Sequence, residues 1–143
     1  MHRSLLIGWA LLSAGFVACT PPDSPIEPGG KLTLTLSRQP AANEMLVVQL
    51  KVGVLERGTR IVVRAIDQEI AGTIAPFGIR PGQKAGLFTV PVPGKAIANK
   101  KVSLLVEVLE KGAKAVRAAT KAEIEDAKLV FIPVAERVKK GKP

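Results

Sequence analysis

Lys101 and Ser103 stand two residues apart in KVSLLVEVL, so on a strand both side chains would leave one face. That places a serine nucleophile beside a lysine base. The base acts only as the neutral amine, and a lysine becomes neutral near pH 7 only when buried. Lys101 follows Lys100 at the start of an apolar run, where a lysine doublet is solvated. Asp67 and Glu69 flank a turn and offer carboxylates to Ca²⁺, but that ion takes roughly six to eight oxygens and the turn supplies too few. The stretch GIRPGQKAG, residues 78–86, sets three glycines around Arg80 and Lys84, as a phosphate cradle would. It lacks the Gly-Lys-Ser/Thr ending of a P-loop, and no helix follows it. Arg80-Pro81-Gly82-Gln83 reads instead as a type II turn, with Pro fixing φ and Gly accepting φ > 0.

Missing residue types narrow the chemistry further. The chain has one His, one Cys and no Tyr, and its His is residue 2. Imidazole or thiolate sites for zinc and copper cannot be assembled from that inventory, nor can a Ser-His-Asp triad or a Cys-His pair. No cofactor-binding fingerprint is visible. The expectation is a protein without catalytic residues, metal or cofactor, one that binds and is not an enzyme.

Basic residues are abundant, with a formal net charge of +9. Arg57, Arg60 and Arg64 cluster in sequence, and Lys139 and Lys140 lie near the end; these five are the candidate anion-binding residues. Nucleic acid is a poor fit, because single-strand binders interleave aromatics with such charges and this chain has four Phe and one Trp. Anionic lipid headgroups, lipopolysaccharide or an acidic protein suit the composition better. A solvated basic surface that aids solubility is the alternative.

The first 18 residues join a basic start, Met1-His2-Arg3, to an uncharged run from Leu5 to Ala18. That length suits the apolar region of a secretory signal and falls short of the ~20 residues of a membrane span; an uncleaved signal anchor is the competing reading. Phe16-Val17-Ala18-Cys19 resembles the lipobox of bacterial lipoproteins, with Phe16 where Leu is commonest. The resemblance covers the leader and its junction. It implies that Cys19 is acylated and becomes the mature N-terminus, which would hold the protein in the cell envelope. Thr20 is not the aspartate associated with inner-membrane retention, so the periplasmic face of the outer membrane is the expected location. Loss of residues 1–18 would leave 20 basic and 12 acidic side chains, a net of +8, with no His and no Trp.

The elements that would position these residues follow from hydropathy. TPPDSPIEPGG, residues 20–30, reads as an extended tether reaching about 30 Å. Period-two alternation then begins. Leu32, Leu34 and Leu36 share a face, as do Leu46, Val48, Leu50, Val52 and Val54. Ile61, Val63 and Ala65 lead through a tight Asp67-Gln68 turn to Ile70 and Ile74. Phe88, Val90 and Val92 follow, then Val102 to Val108, then Leu129 and Phe131. About seven antiparallel strands over residues 31–135 predict an all-β, immunoglobulin-like β-sandwich, with a small barrel as the other option. The cysteine pair and core Trp of antibody domains are absent. Pro91 and Pro93 place their strand at an edge. Thr120 and Glu123 have capping-box spacing, which with the acidic Glu123, Glu125 and Asp126 predicts a short helical turn over residues 121–127. Residues 136–143 read as a flexible basic tail.

Apolar residues also occur on nominally outward faces: Met45, Val47, Leu105, Leu109 and Ile132. Either other parts of the chain cover them or a partner does. With the leader, these positions suggest an accessory lipoprotein docking to another envelope or secretion component. The alternative is a receptor for an anionic envelope ligand, such as lipopolysaccharide, a phospholipid headgroup or an acidic polymer.

Overall fold

Each alternating run becomes a strand in the computed structural model, which describes residues 24–135. The strands are β1 (Lys31–Thr35), β2 (Glu44–Val54), β3 (Arg60–Ala65), β4 (Ile70–Ile74), β5 (Lys84–Pro91), β6 (Ile97–Ala98), β7 (Lys101–Leu109), β8 (Arg117–Ala118) and β9 (Ile124–Pro133). A 3₁₀ turn, Gly94–Ala96, precedes β6. All pairings are antiparallel and build two sheets. One has the order β1-β7-β3-β4, with the two-residue β6 and β8 extending the flanks of β7; the other is β5-β2-β9. The fold is a β-sandwich and not a barrel.

Its core is aliphatic because the sequence has few rings to offer. Val48, Leu50 and Val52 from β2, Ile61 and Val63 from β3, and Leu104, Val106 and Val108 from β7 are all fully buried in one cluster. Each such side chain contributes roughly 1.5–3 kcal/mol relative to exposure. The alternation therefore assigned the inner faces correctly along most of the chain. Val54 and Ile70 are the exceptions, exposed where their strands end or begin. β5 lies at an edge of the three-stranded sheet, as Pro91 required.

Central pairings follow the immunoglobulin scheme, in which the second long strand lies beside the fifth and the third beside the sixth: β2 pairs with β5, and β3 with β7. The terminal strands are exchanged relative to that scheme. β1 lies beside β7 and β9 beside β2, so first and last strands each join the opposite sheet.

Two segments differ from expectation. Of residues 121–127, only the first three form a turn, with the Glu123 and Ile124 N–H groups both donating to the Thr120 carbonyl at 3.1 and 3.0 Å; residues 124–127 are strand. The capping-box contacts are made, since the Thr120 N–H donates to Glu123 Oε2 at 2.9 Å and the Glu123 N–H to Thr120 Oγ1 at 3.4 Å. They close one turn only, and β9 begins at Ile124. Ile124 and Ala127 are both buried three residues apart, which imitates a helical period. The cause is a β-bulge: Val52 pairs with Ile124 but Lys51 with Asp126, so Glu125 is an extra residue that resets the alternation.

The second is the tether, whose last seven residues belong to the sandwich. Ile26 bridges Leu32 and is 2% exposed, and the Ser24 hydroxyl donates to the Ile124 carbonyl. A tight turn follows, in which the Gly30 N–H donates to the Glu27 carbonyl at 3.0 Å and the Val106 N–H donates to the Gly30 carbonyl at 2.8 Å. Gly29 and Gly30 both take positive φ, 87° and 80°. A Cβ on Gly30 would sit 2.3 Å from the Val106 carbonyl oxygen, while one on Gly29 would meet nothing within 4 Å. Gly29→Ala should therefore cost about 1 kcal/mol, from backbone conformation alone, and Gly30→Ala at least ~2 kcal/mol. Urea unfolding midpoints of the two variants will check this; equal midpoints would mean that residues 24–30 do not clamp to β7.

Candidate functional site: a cleft between two loops

Two connections between the sheets end at the same place. β2 finishes at Val54 and hands over to β3 through residues 55–59, while β4 finishes at Ile74 and hands over to β5 through residues 75–83. Because Val54 pairs with Lys84 and Ile61 with Ile74, both loops leave from neighbouring strand ends. A cleft of about 750 Å³ opens between them. Local chemistry sets its walls. The Thr59 N–H donates to the Glu56 carbonyl at 3.1 Å, tightening the first loop. In the second, the Gln83 N–H donates to the Arg80 carbonyl at 3.0 Å, and Gly82 takes φ +77°, as the type II turn requires.

Val54, Leu55, Pro76, Phe77, Ile79 and Pro81 supply apolar lining; Arg57, Arg60 and Arg80 supply charge. Phe77 is 87% exposed, unusual for a side chain of that size. Thr59 and Glu56 provide the only hydroxyl and the only carboxylate in the lining.

Ion pairing separates the cleft's arginines from the other described arginines. Arg38 holds Glu44 in a fork, Nη1–Oε2 2.6 Å and Nη2–Oε1 2.9 Å, and stacks 4.0 Å from the centre of the Phe131 ring. Arg64 donates to Glu107 at 2.7 Å. Arg117 reaches both Glu110, at 2.9 Å, and Glu123, at 2.5 and 3.0 Å. Burial opposes ionisation of Glu123, but the Arg117 guanidinium and the Thr120 N–H outweigh it and hold its carboxyl below the usual range. Lys84 and Lys51 both face Glu125, and Lys95 sits between Asp67 and Glu69. Among the described residues, Arg57, Arg60 and Arg80 form no ion pair, and all three line the one cleft.

The sequence-predicted residues divide accordingly. Arg57 and Arg60 come together in the cleft. Arg64 does not join them: it is half-buried on β3 and committed to Glu107 across the sheet. Lys139, Lys140 and Cys19 lie outside the described residues. The five apolar positions do not make one surface. Met45 and Ile132 are paired neighbours on the outer face of the three-stranded sheet, with Met45 41% exposed. Val47, on the same face, is 1% exposed and offers nothing to a partner. Leu105 and Leu109 are half-buried on β7, in the other sheet. Lys101 and Ser103 are exposed and half-buried on β7. Sequence reasoning took Arg80 for a turn residue and passed over Phe77. Only the β2–β5 and β3–β4 pairings bring them beside Arg57 and Arg60.

Chemically, the cleft can grip an anion with up to three guanidinium forks and shelter an apolar group against proline and phenylalanine. No protein-family model matches the chain, and neither the curated proteins nor the solved structures contain a match to it.

The ion pairs carry a pH signature. The Arg38 fork, helped by the Ala41 N–H, holds the Glu44 carboxyl at about 2, against a usual 4.5. A depressed folded value means that the pair's stabilisation is present above the usual value and is lost as pH falls towards 2. Stability should therefore decline between those limits, and Glu44→Gln should flatten that part of the acid limb. Urea midpoints measured against pH will test it; an unchanged acid limb in the variant would show that the pair contributes nothing.

Proposed function

We propose that this is a lipid-anchored envelope protein whose sandwich acts by binding and not by catalysis, and that the arginine-rimmed cleft receives an anionic ligand. One observation carries the reading. The chain satisfies Arg38, Arg64 and Arg117 with carboxylates but leaves Arg57, Arg60 and Arg80 without them, all three in the lining of one cleft with apolar walls. Charge-assisted hydrogen bonds to such groups are each worth roughly 1.5–3 kcal/mol, which is ample for specific binding of a phosphate- or carboxylate-bearing molecule. The apolar walls favour a ligand that carries an aliphatic or ring portion beside its charge. Lipopolysaccharide, phospholipid headgroups and acidic polymers have that chemistry.

The anchor rests on the leader and on Cys19, whose acyl chains would each contribute ~0.8 kcal/mol per buried methylene and hold the protein at the envelope, with the periplasmic face of the outer membrane as its location. A second reading, docking to an envelope or secretion protein, draws support from the outer face of the three-stranded sheet, where exposed Met45 lies opposite Ile132.

One titration separates the two. Binding of lipopolysaccharide and of short-chain anionic phospholipids should weaken steeply with ionic strength, and replacing Arg57, Arg60 and Arg80 by Glu should reduce affinity at least ~100-fold. Affinity unchanged by those substitutions would overturn the cleft reading. If envelope proteins are then captured and Met45→Asp or Ile132→Asp abolishes the capture without unfolding, function passes to the sheet face.

A further inference from the structure

The first described residues of the chain lie near the cleft. Ser24, 7% exposed, is bonded to the carbonyl of Ile124, the first residue of β9. Ile124 pairs with Val52, and Val54, two residues further along β2, is part of the cleft wall. At ~3.3 Å per residue and ~4.8 Å between strands, Ile124 and the near wall of the cleft are roughly 10 Å apart. The turn at Gly30 and the burial of Ile26 fix this arrangement, so the free tether is much shorter than the Pro/Gly composition suggests.

Ser24 is five residues past Cys19. Even fully extended, that chain spans at most ~18 Å. Ser24 is therefore held within ~18 Å of a bilayer that anchors Cys19, about half the ~37 Å length of β2. The side of the domain nearest Ser24 is thus kept close to the headgroups. Close by, one cleft is lined by unpaired Arg57, Arg60 and Arg80 and by Phe77, among the described residues the most exposed of the large apolar side chains. An exposed aromatic ring flanked by guanidinium groups suits the interface of an anionic leaflet, where the ring enters the headgroup–acyl boundary and the cations take phosphates.

We infer that the cleft end docks on the anionic bilayer to which the protein is tethered, with Phe77 inserted and Arg57, Arg60 and Arg80 on lipid phosphates. This rests on the proposed anchor. Each basic side chain near an anionic surface raises partitioning about fivefold, and tethering makes the contact intramolecular, so modest intrinsic affinity suffices. Docking in this way aims the opposite end of the sandwich, with the Asp67–Gln68 turn and the Gly94–Ala96 segment, away from the membrane.

Phe77→Trp provides the probe, because the only native Trp is residue 9, within the leader. The lipidated protein carrying it would be reconstituted in vesicles of phosphatidylcholine alone or mixed with phosphatidylglycerol. Flotation with the vesicles reads the anchor; emission wavelength and quenching by brominated acyl chains read the docking. The expected result is flotation in both lipids, with blue-shifted, quenched emission only in the anionic vesicles. That signal should disappear when Arg57, Arg60 and Arg80 are replaced by Glu, while flotation persists. Flotation with water-like, unquenched emission in anionic vesicles would overturn the docking and leave the anchor standing. Equal quenching in both lipids would overturn the role given to the arginines. Failure to float would overturn the anchor and, with it, this inference.

Discussion

β2 and β7 lie inside their sheets, and the apolar faces that they turn inward place nearly everything else. Val48, Leu50 and Val52 on one strand and Val102, Leu104, Val106 and Val108 on the other are sealed from water in a single cluster. With so few aromatic rings available, the core relies on branched aliphatic side chains, whose stiffness suits a pleated surface. β3 and β1 pair with β7, β5 and β9 pair with β2, and the inter-sheet loops begin wherever these pairings end. The cleft is one such consequence. Its two loops meet because the strands carrying them are held in register by the same core.

Charge is distributed around that frame with a clear asymmetry. Glu44, Glu107, Glu110, Glu123 and Glu125, together with Asp67 and Glu69, each meet a cation from a neighbouring element, and several of these pairs brace loops or strand ends. Individually such exposed pairs are worth little, but the Arg117 network fixes the β7–β8 connection against the start of β9. The arginines of the described residues thus show a division, with Arg38, Arg64 and Arg117 paired and Arg57, Arg60 and Arg80, all at the cleft, unpaired. The proposed function and the proposed membrane contact both derive from it.

The fold was largely legible because a half-buried strand writes its faces into alternate residues. Leu46 to Val52 and Val102 to Val108 could be assigned from pattern alone. Legibility failed where a non-local event intervened. The capping box at Thr120 and Glu123 forms but closes a single turn, because Ile124 pairs with Val52 across a bulge at Glu125 and starts a strand. Ile26 is one apolar residue among prolines and glycines, so no periodicity marked it as core. Arg60 and Arg64 share a face of β3, and nothing local separates them; Glu107, on another strand, does. Arg80 and Phe77 are about 20 residues from Arg57, and only sheet pairing unites them. The exchange of the terminal strands was equally invisible, because alternation specifies faces and not neighbours.

The claim on which the account turns is that Arg57, Arg60 and Arg80 act together as the anion site while Arg38, Arg64 and Arg117 are structural. Side-chain Nε–Hε resonances of ¹⁵N-arginine report each guanidinium separately. Titration with short-chain phosphatidylglycerol should shift Arg57, Arg60 and Arg80 along one common binding curve and leave Arg38, Arg64 and Arg117 in place. Uniform small shifts across all the arginines, or none at the cleft, would contradict it.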